Sequence, residues 1–140
     1  MSRIFWDTNL FVYLFEANPE FSQVVAALKR RMVERGDELV TSAMTLGEVQ
    51  VKPRENNNIA LAERYRNIIR QTCTVLSFDS AAADIYAALR AGSSVRSPDA
   101  IQLGCAAAAG VELFITNDKR LHKLTVPGIH FVTSLDRVPI

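Results

Sequence analysis

The chain has 140 residues, the length of one ordinary domain, and 49% of them are hydrophobic, which is enough for one packed core. Its 22% of charged residues excludes wholesale disorder, and the balance of 16 basic against 15 acidic residues excludes a polybasic protein. We expect one domain over residues 1–140, in the cytoplasm and off the membrane, because no apolar run is long enough for a transmembrane helix and the N-terminus lacks a signal-peptide pattern. Cys73 and Cys105 are expected to be free thiols.

The first half of the chain predicts short apolar strands that alternate with helices. In chain order it predicts a strand at Ile4–Trp6, a short helix at Leu10–Phe15 capped by Thr8 or Asn9, a helix from Phe21 that Gly36 stops, a strand at Leu39–Thr41, and a helix capped by Ser42 that ends before Pro53.

The second half continues the same alternation. It predicts a helix after Asn56–Asn58, a strand at Thr74–Leu76, a helix capped by Asp79 and Ser80, a helix with Ser97 as its N-cap and Pro98 at its first position, a strand at Leu113–Ile115, a short helix begun by Asn117 and Asp118, and a strand at His130–Val132. This order predicts a three-layer α/β/α sandwich with a central, mainly parallel five-stranded sheet.

Four acidic residues lie at or near the predicted carboxyl ends of strands, where open α/β sheets bind ligands. Asp7 follows the first strand and Asp118 follows the fourth, while Asp99 and Glu48 lie in helices that begin near the same edge. Taken singly, Asp99 and Asp118 are also explained as helix-start acids, and Asp7 as a turn residue.

Glu48 shares a predicted helix face with Met44 and Val51. A carboxylate on an apolar stripe is costly unless it is paired or bound to metal. A solvated Glu48 that pairs with Lys52, four residues later, is the alternative.

Four converging carboxylates would repel one another and raise each other's pKa values, and a divalent cation removes that conflict. An all-oxygen ligand set favours Mg²⁺ or Mn²⁺ over zinc, and such ions support phosphoryl chemistry. Other sites have little support: neither a GxGxxG nor a P-loop pattern occurs, and His122 and His130 have no partners at zinc-ligand spacing. We expect His130 in a strand and His122 on a helix surface.

Four motifs that contain these acids resemble those of a PIN domain, and specifically of a VapC-like ribonuclease toxin from a type II toxin–antitoxin module. The resemblance covers nearly the whole chain in order. The motifs are Phe5-Trp6-Asp7-Thr8-Asn9, Ser42 to Glu48, Ser97-Pro98-Asp99-Ala100-Ile101-Gln102-Leu103, and Phe114-Ile115-Thr116-Asn117-Asp118.

The resemblance implies that Asp7, Glu48, Asp99 and Asp118 are the metal-binding and catalytic acids of an endoribonuclease that depends on Mg²⁺ or Mn²⁺. Glu48 is either a ligand or the residue that orients the water. The resemblance also implies a homodimer that a cognate antitoxin inhibits by covering the acidic site.

Several further residues are candidates for supporting roles around the acids or in RNA binding. The resemblance gives Asn9 and Thr116 as polar residues beside the acids, and Asp84 as structural or partner-facing. Trp6 is bulkier than the residue expected before the first acid. Local basic residues would have to hold the RNA, and the candidates are Arg96, Lys119, Arg120 and Lys52. The alternative function is a non-catalytic PIN-fold module that binds RNA or protein in RNA processing.

Overall fold

The computed structural model describes all 140 residues, in five strands, six α-helices and two short 3₁₀ turns. In chain order the strands and α-helices are β1 (Arg3–Trp6), α1 (Thr8–Phe15), α2 (Ser22–Arg35), β2 (Glu38–Ser42), α3 (Ala43–Glu55), α4 (Ile59–Thr72), β3 (Thr74–Leu76), α5 (Ser80–Gly92), α6 (Ser97–Ala109), β4 (Leu113–Ile115) and β5 (Phe131–Thr133). The 3₁₀ turns are Lys119–Leu121 and Leu135–Arg137.

The sheet has the strand order β3-β2-β1-β4-β5, and every neighbouring pair is parallel. β1 lies at the centre, where Ile4, Phe5 and Trp6 are fully buried, as expected for a strand covered on both faces. Because all five strands run the same way, their carboxyl ends meet at one edge. The Asp7 backbone N–H donates to the Ile115 carbonyl at 3.0 Å, so the residues after β1 and β4 lie side by side there.

Helices cover both faces of the sheet, which confirms the three-layer prediction. Helices α1 to α4 cover one face, where Trp6, Leu10 and Val25 belong to one buried cluster. Helices α5 and α6 cover the other face, where Phe5 stacks on Phe114 with a centroid distance of 4.8 Å. Packing in these two clusters holds the helices against the sheet, and it therefore positions the helix residues that lie near the carboxyl ends of the strands.

Two predicted helix caps are wrong by one or two residues. Asp7, not Thr8 or Asn9, caps α1, and its carboxylate accepts the Thr8 backbone N–H at 2.8 Å. Arg96 occupies the N-cap position of α6, because the hydroxyl of Ser97 instead forms a 2.6 Å hydrogen bond with the Tyr86 hydroxyl of α5. The predicted caps at Ser42 and Asp79 are confirmed.

Two other boundaries also differ from prediction. Helix α3 continues past Pro53 to Glu55, since a proline in the last turn removes only one helical hydrogen bond and this ring is buried. His130 is exposed and lies just before β5 instead of within it. Both cysteines are free thiols, as predicted. No helix combines the length and the apolar character that spanning a membrane requires.

Candidate metal centre

All four predicted acids line one pocket of about 300 Å³ at the carboxyl edge of the sheet, which we call the acid pocket. Asp7 reaches it from the end of β1, Glu48 from α3, Asp99 from the first turn of α6, and Asp118 from the loop after β4. The parallel sheet therefore brings together residues that are up to 111 positions apart in the sequence. Its other lining residues are Thr8, Asn9, Val12, Arg96, Pro98 and Gln102.

Asp7 is the buried member of the set, with 8% of its surface exposed. One carboxylate oxygen accepts the Thr116 hydroxyl at 2.7 Å and the other caps α1. Burial raises the pKa of Asp7 to about 6 against the lowering effect of these hydrogen bonds, and the negative charges of Asp99 and Glu48 raise it further. No cation pairs with Asp7, so its charge is uncompensated within the protein.

Glu48 does not lie on an apolar stripe, and that part of the prediction is wrong. The residue is exposed, and Val51 on the same face is 54% exposed. Its Oε1 accepts the Thr8 hydroxyl at 2.6 Å. Nor does Glu48 pair with Lys52, because Lys52 binds Glu16 at 2.9 Å instead.

Behind Glu48 lies a network of hydroxyl and amide groups that the sequence analysis missed. The buried side chain of Gln102 donates to the Thr8 hydroxyl at 3.1 Å and to the Thr45 hydroxyl at 2.8 Å, and its Oε1 accepts the Ser42 hydroxyl. Thr8 and Thr45 also contact each other at 3.1 Å. The Thr8 hydroxyl thus accepts from Gln102 and donates its single proton to Glu48.

A signal for this network was present in the sequence. Gln102 follows Asp99 by three residues, and Thr45 precedes Glu48 by three, so each shares a helix face with an acid. After its first turn α6 is apolar apart from Gln102, and a buried polar side chain there needs a partner.

Asp99 and Asp118 are held by arginines. Arg120 binds Asp118 through both of its carboxylate oxygens, at 2.9 and 2.5 Å, and hydrogen bonding from Arg120 lowers the pKa of Asp118. Arg96 lies 3.4 Å from Asp99 and 4.0 Å from Asp118. Of the basic residues that we expected to hold RNA, Arg96, Arg120 and Lys52 are thus in ion pairs, and only Lys119 is not.

The two predicted polar neighbours lie beside Asp7. Asn9 donates to the Thr116 hydroxyl at 3.3 Å, and that hydroxyl in turn donates to Asp7. The Thr116 hydroxyl oxygen also accepts the Asp118 backbone N–H at 3.1 Å. Thr116 therefore joins the residues that follow β1 and β4. Asp84 is exposed on α5 and is not among the residues that line the acid pocket. His122 is held through Nε2 by the Thr116 carbonyl at 2.7 Å.

The donor set fits a hard divalent cation, since it consists of carboxylates and includes one buried charge with no cation beside it. As the side chains stand, however, no three acidic, histidine or cysteine groups are gathered closely enough to hold one ion. Asp99 is in an ion pair with Arg96, and Asp118 is in an ion pair with Arg120. An ion bound to Asp118 would compete with Arg120 for the carboxylate.

Two larger depressions flank the acid pocket. The apolar groove, of about 580 Å³, lies between α1, α3 and α4 and shares Val12 and Glu48 with the acid pocket. Its lining includes Phe15, Val49, Val51, Leu61 and Tyr65. The basic cleft, of about 760 Å³, lies beside the loop after β4, and its charged lining residues are Glu20, Lys119, Lys123, Asp136 and Arg137.

Comparison with known families matches residues 4–127 to the PIN domain. The chain belongs to the PIN domain family. This confirms the family that the motifs indicated. No curated protein matches this PIN domain.

Solved structures of similar fold cover nearly the whole of this PIN domain. VapBC2 from Rickettsia felis, bound to a promoter DNA fragment, has a TM-score of 0.76 at 15% identity and covers 94% of this chain and 98% of its own. DNA-bound VapBC from Salmonella typhimurium has a TM-score of 0.69 at 23% identity, and the match covers 96% of this chain and 99% of that one. VapBC-1 from nontypeable Haemophilus influenzae has a TM-score of 0.70 at 18% identity, and the match covers 96% of this chain and 99% of that one. At these identities the similarity establishes a shared fold.

Proposed function

We propose that this PIN domain is an endoribonuclease that depends on Mg²⁺ or Mn²⁺ and acts as the toxin of a toxin–antitoxin pair. The observation that carries the proposal is the convergence of four carboxylates on one pocket, one of them buried without a compensating cation. Because such a cluster is costly in the absence of a ligand, a site of this kind is best explained by metal-assisted phosphoryl chemistry.

Asp7, Asp99 and Asp118 would hold the ion. When bound, a hard divalent cation supplies positive charge that activates water and stabilises charge on the phosphate oxygens. The protein keeps Asp7 oriented through the Thr116 hydroxyl and the α1 backbone, so this ligand is positioned before any ion arrives.

Glu48 is suited to move a proton. Thr8 holds its Oε1, whereas its Oε2 has no hydrogen-bond partner in the protein and is free to accept a proton from water. Gln102 and Thr45 hold Thr8 and act as positioning residues. We propose that these neutral groups fix the direction of the Glu48 carboxylate without cancelling its charge.

An antitoxin is the proposed protein partner. The similar structures from Rickettsia felis, Salmonella typhimurium and Haemophilus influenzae are VapBC structures, and VapBC is a family of toxin–antitoxin systems. In this chain the apolar groove joins the acid pocket through Val12 and Glu48, so one bound segment could bury apolar side chains and cover the acids together. We further propose a homodimer as the unit that the antitoxin binds.

One observation favours a second candidate, a non-catalytic PIN-fold binding module. Arg120 and Arg96 already neutralise Asp118 and Asp99, so half of the acid cluster is compensated without an ion. The two candidates differ in what happens when metal is added, since only the nuclease needs the arginines to give way.

Cleavage of a randomised pool of single-stranded RNA tests the two candidates, because the pool samples many short target sequences. The nuclease should cleave with Mg²⁺ or Mn²⁺ and not with EDTA, and should leave 5′-phosphate and 3′-hydroxyl ends, since the ribose 2′-hydroxyl takes no part. Asp99→Asn should abolish cleavage, whereas Asp84→Asn, the same change on the surface of α5, should not. Cyclic-phosphate ends or full activity in EDTA would contradict the proposal, and an uncleaved pool would favour the binding module.

A further inference from the structure

The basic cleft, of about 760 Å³, is larger than the acid pocket and the apolar groove, and nothing in the proposed chemistry uses it. It runs beside the 3₁₀ turn Lys119–Leu121 and the end of β5. Its lining combines four hydrophobic residues, Phe21, Val24, Val132 and Leu135, with charged and polar ones. Such a lining can contact sugars and bases as well as phosphates.

The basic side chains of this cleft differ from those around the acid pocket. Lys119, Lys123 and Arg137 are exposed, and none of them lies within ion-pair distance of a carboxylate. Of the two acids in the cleft, Asp136 is held by the Ser134 hydroxyl at 2.6 Å. The cleft therefore offers three cations that no ion pair inside the protein occupies.

The cleft also adjoins the acid pocket. Asn117 lines the cleft and Asn9 lines the acid pocket, and the Asn117 backbone N–H donates to the Asn9 side-chain oxygen at 3.4 Å. Lys119 follows directly after Asp118 in the chain. A ligand that leaves the acid pocket over these two asparagines enters the cleft.

We infer that the basic cleft binds the sugar–phosphate backbone of the single-stranded RNA next to the phosphate held in the acid pocket, with Lys119 and Lys123 contacting phosphates. This inference rests on the proposed ribonuclease function. A single strand is narrow and flexible enough to occupy the pocket and the cleft at once, and its charge matches the unpaired cations. The RNA-binding side of the protein is thus the β4–β5 side, opposite the apolar groove.

The test measures RNA binding separately from cleavage. A fluorescein-labelled single-stranded RNA of mixed sequence is titrated with protein in EDTA, and anisotropy gives Kd over a range of salt concentrations. Lys119→Gln/Lys123→Gln is compared with Arg64→Gln/Arg70→Gln, which removes two positive charges from exposed positions of α4 outside both depressions. Both double variants change the net charge equally, so long-range attraction is matched.

We expect the lysine variant to bind about tenfold more weakly at low salt and to lower the slope of log K against log salt by about 1.4, the value for two phosphate contacts on a single strand. The α4 variant should stay within about twofold of the wild type. Equal effects of the two variants, or no RNA binding by the wild type, would overturn the inference.

The outcome is separable from that of the nuclease proposal. Wild-type cleavage of RNA together with binding that ignores the two lysines removes the cleft inference and keeps the nuclease. Binding that depends on the lysines, in a protein that cleaves nothing, keeps the cleft and removes the nuclease.

Discussion

The acid pocket contains two kinds of carboxylate, one kind held by hydroxyl groups and the other held by arginines. The four pairs are Thr116–Asp7, Thr8–Glu48, Arg96–Asp99 and Arg120–Asp118. A hydroxyl orients a carboxylate without neutralising it, whereas a guanidinium does both.

The difference is visible in the pKa values of Asp7 and Asp118, one acid of each kind. Burial raises the pKa of Asp7 to about 6, because its hydroxyl partner does not offset the loss of solvent, while hydrogen bonding from Arg120 lowers the pKa of Asp118. The hydroxyl-held acids thus keep charge available for a cation or a proton. The arginine-held acids release theirs only when an arginine moves.

Among the variants that probe this contrast, the largest effect should come from a change at Glu48, a hydroxyl-held acid. Glu48→Gln keeps the shape of the side chain and its bond with Thr8 but cannot accept a proton, so RNA cleavage should fall by ~100-fold or more, the scale of a positioned acid–base group. Initial rates on a cleavable RNA measure it, and Glu63→Gln, an exposed change on α4, is the control. Activity close to that of the wild type would remove Glu48 from the chemistry.

The second prediction sets Asp7 against Asp118 in stability. The pKa of Asp7 is about 6 in the folded state against 3.8 for the unperturbed group, so ionised Asp7 opposes folding by about 3 kcal/mol at pH 7. Asp7→Asn removes this penalty but weakens the bond from Thr116, worth about 1 kcal/mol. Metal-free Asp7→Asn should therefore be more stable than the wild type by about 1–2 kcal/mol.

The gain in stability from Asp7→Asn depends on pH. Because the folded pKa is raised, the wild type loses stability as pH rises from about 4 to 6, and the advantage of Asp7→Asn should fade below pH 4. Urea unfolding in EDTA at pH 4 and pH 7 measures it. Asp118→Asn should give no stabilisation, because the wild-type carboxylate is paired with Arg120. If Asp7→Asn unfolds the protein at both pH values, Asp7 is chiefly structural.

A smaller loss should follow when the hydroxyl itself is removed. Thr8→Val keeps the shape of the side chain but leaves Glu48 without its donor and Gln102 with one unpaired N–H. We expect about tenfold slower cleavage and about 1 kcal/mol lower stability. The rate profile against pH distinguishes orientation from folding, because a misplaced Glu48 changes the profile and a merely less stable protein does not. Thr125→Val, at an exposed loop position, is the control.

The smallest effect should come from an arginine. Arg120→Gln frees Asp118, so an ion no longer has to displace a guanidinium, and Mn²⁺ should bind about two- to fivefold more tightly, the range of an exposed ion pair. Calorimetric titration measures the Kd, with Arg64→Gln as the control for net charge. Weaker binding in Arg120→Gln would mean that this arginine supports the site, and the contrast between the two kinds of acid would fail.

The sequence predicted the layers and the sheet because strand and helix patterns are local. β1 contains the apolar run Ile4–Trp6, Asp7 follows it directly, and parallel strands place the residues that follow them at one edge. The same logic predicted that the four acids would meet at one edge, and the acid pocket contains all four.

What the sequence did not reveal depends on contacts between distant segments. Gln102 reaches Thr8 across 94 positions, and Lys52 reaches Glu16 across 36. No spacing rule predicts which of several nearby carboxylates an arginine or lysine will choose. The prediction that Glu48 lies on an apolar face of its helix was wrong for the same reason, because the neighbouring helices decide which face of α3 packs inward.

Trp6 is the only tryptophan of the chain, it is fully buried, and its indole N–H has no hydrogen-bond partner. It also stands next to Asp7 in the chain, at the point where β1 turns into α1. An indole in such dry surroundings emits at short wavelength, and its emission responds to a change in nearby charge. The chain therefore carries its own optical reporter next to the buried acid in sequence, and a change in its fluorescence on adding Mg²⁺ or Mn²⁺ would test the proposed binding at Asp7 without a label.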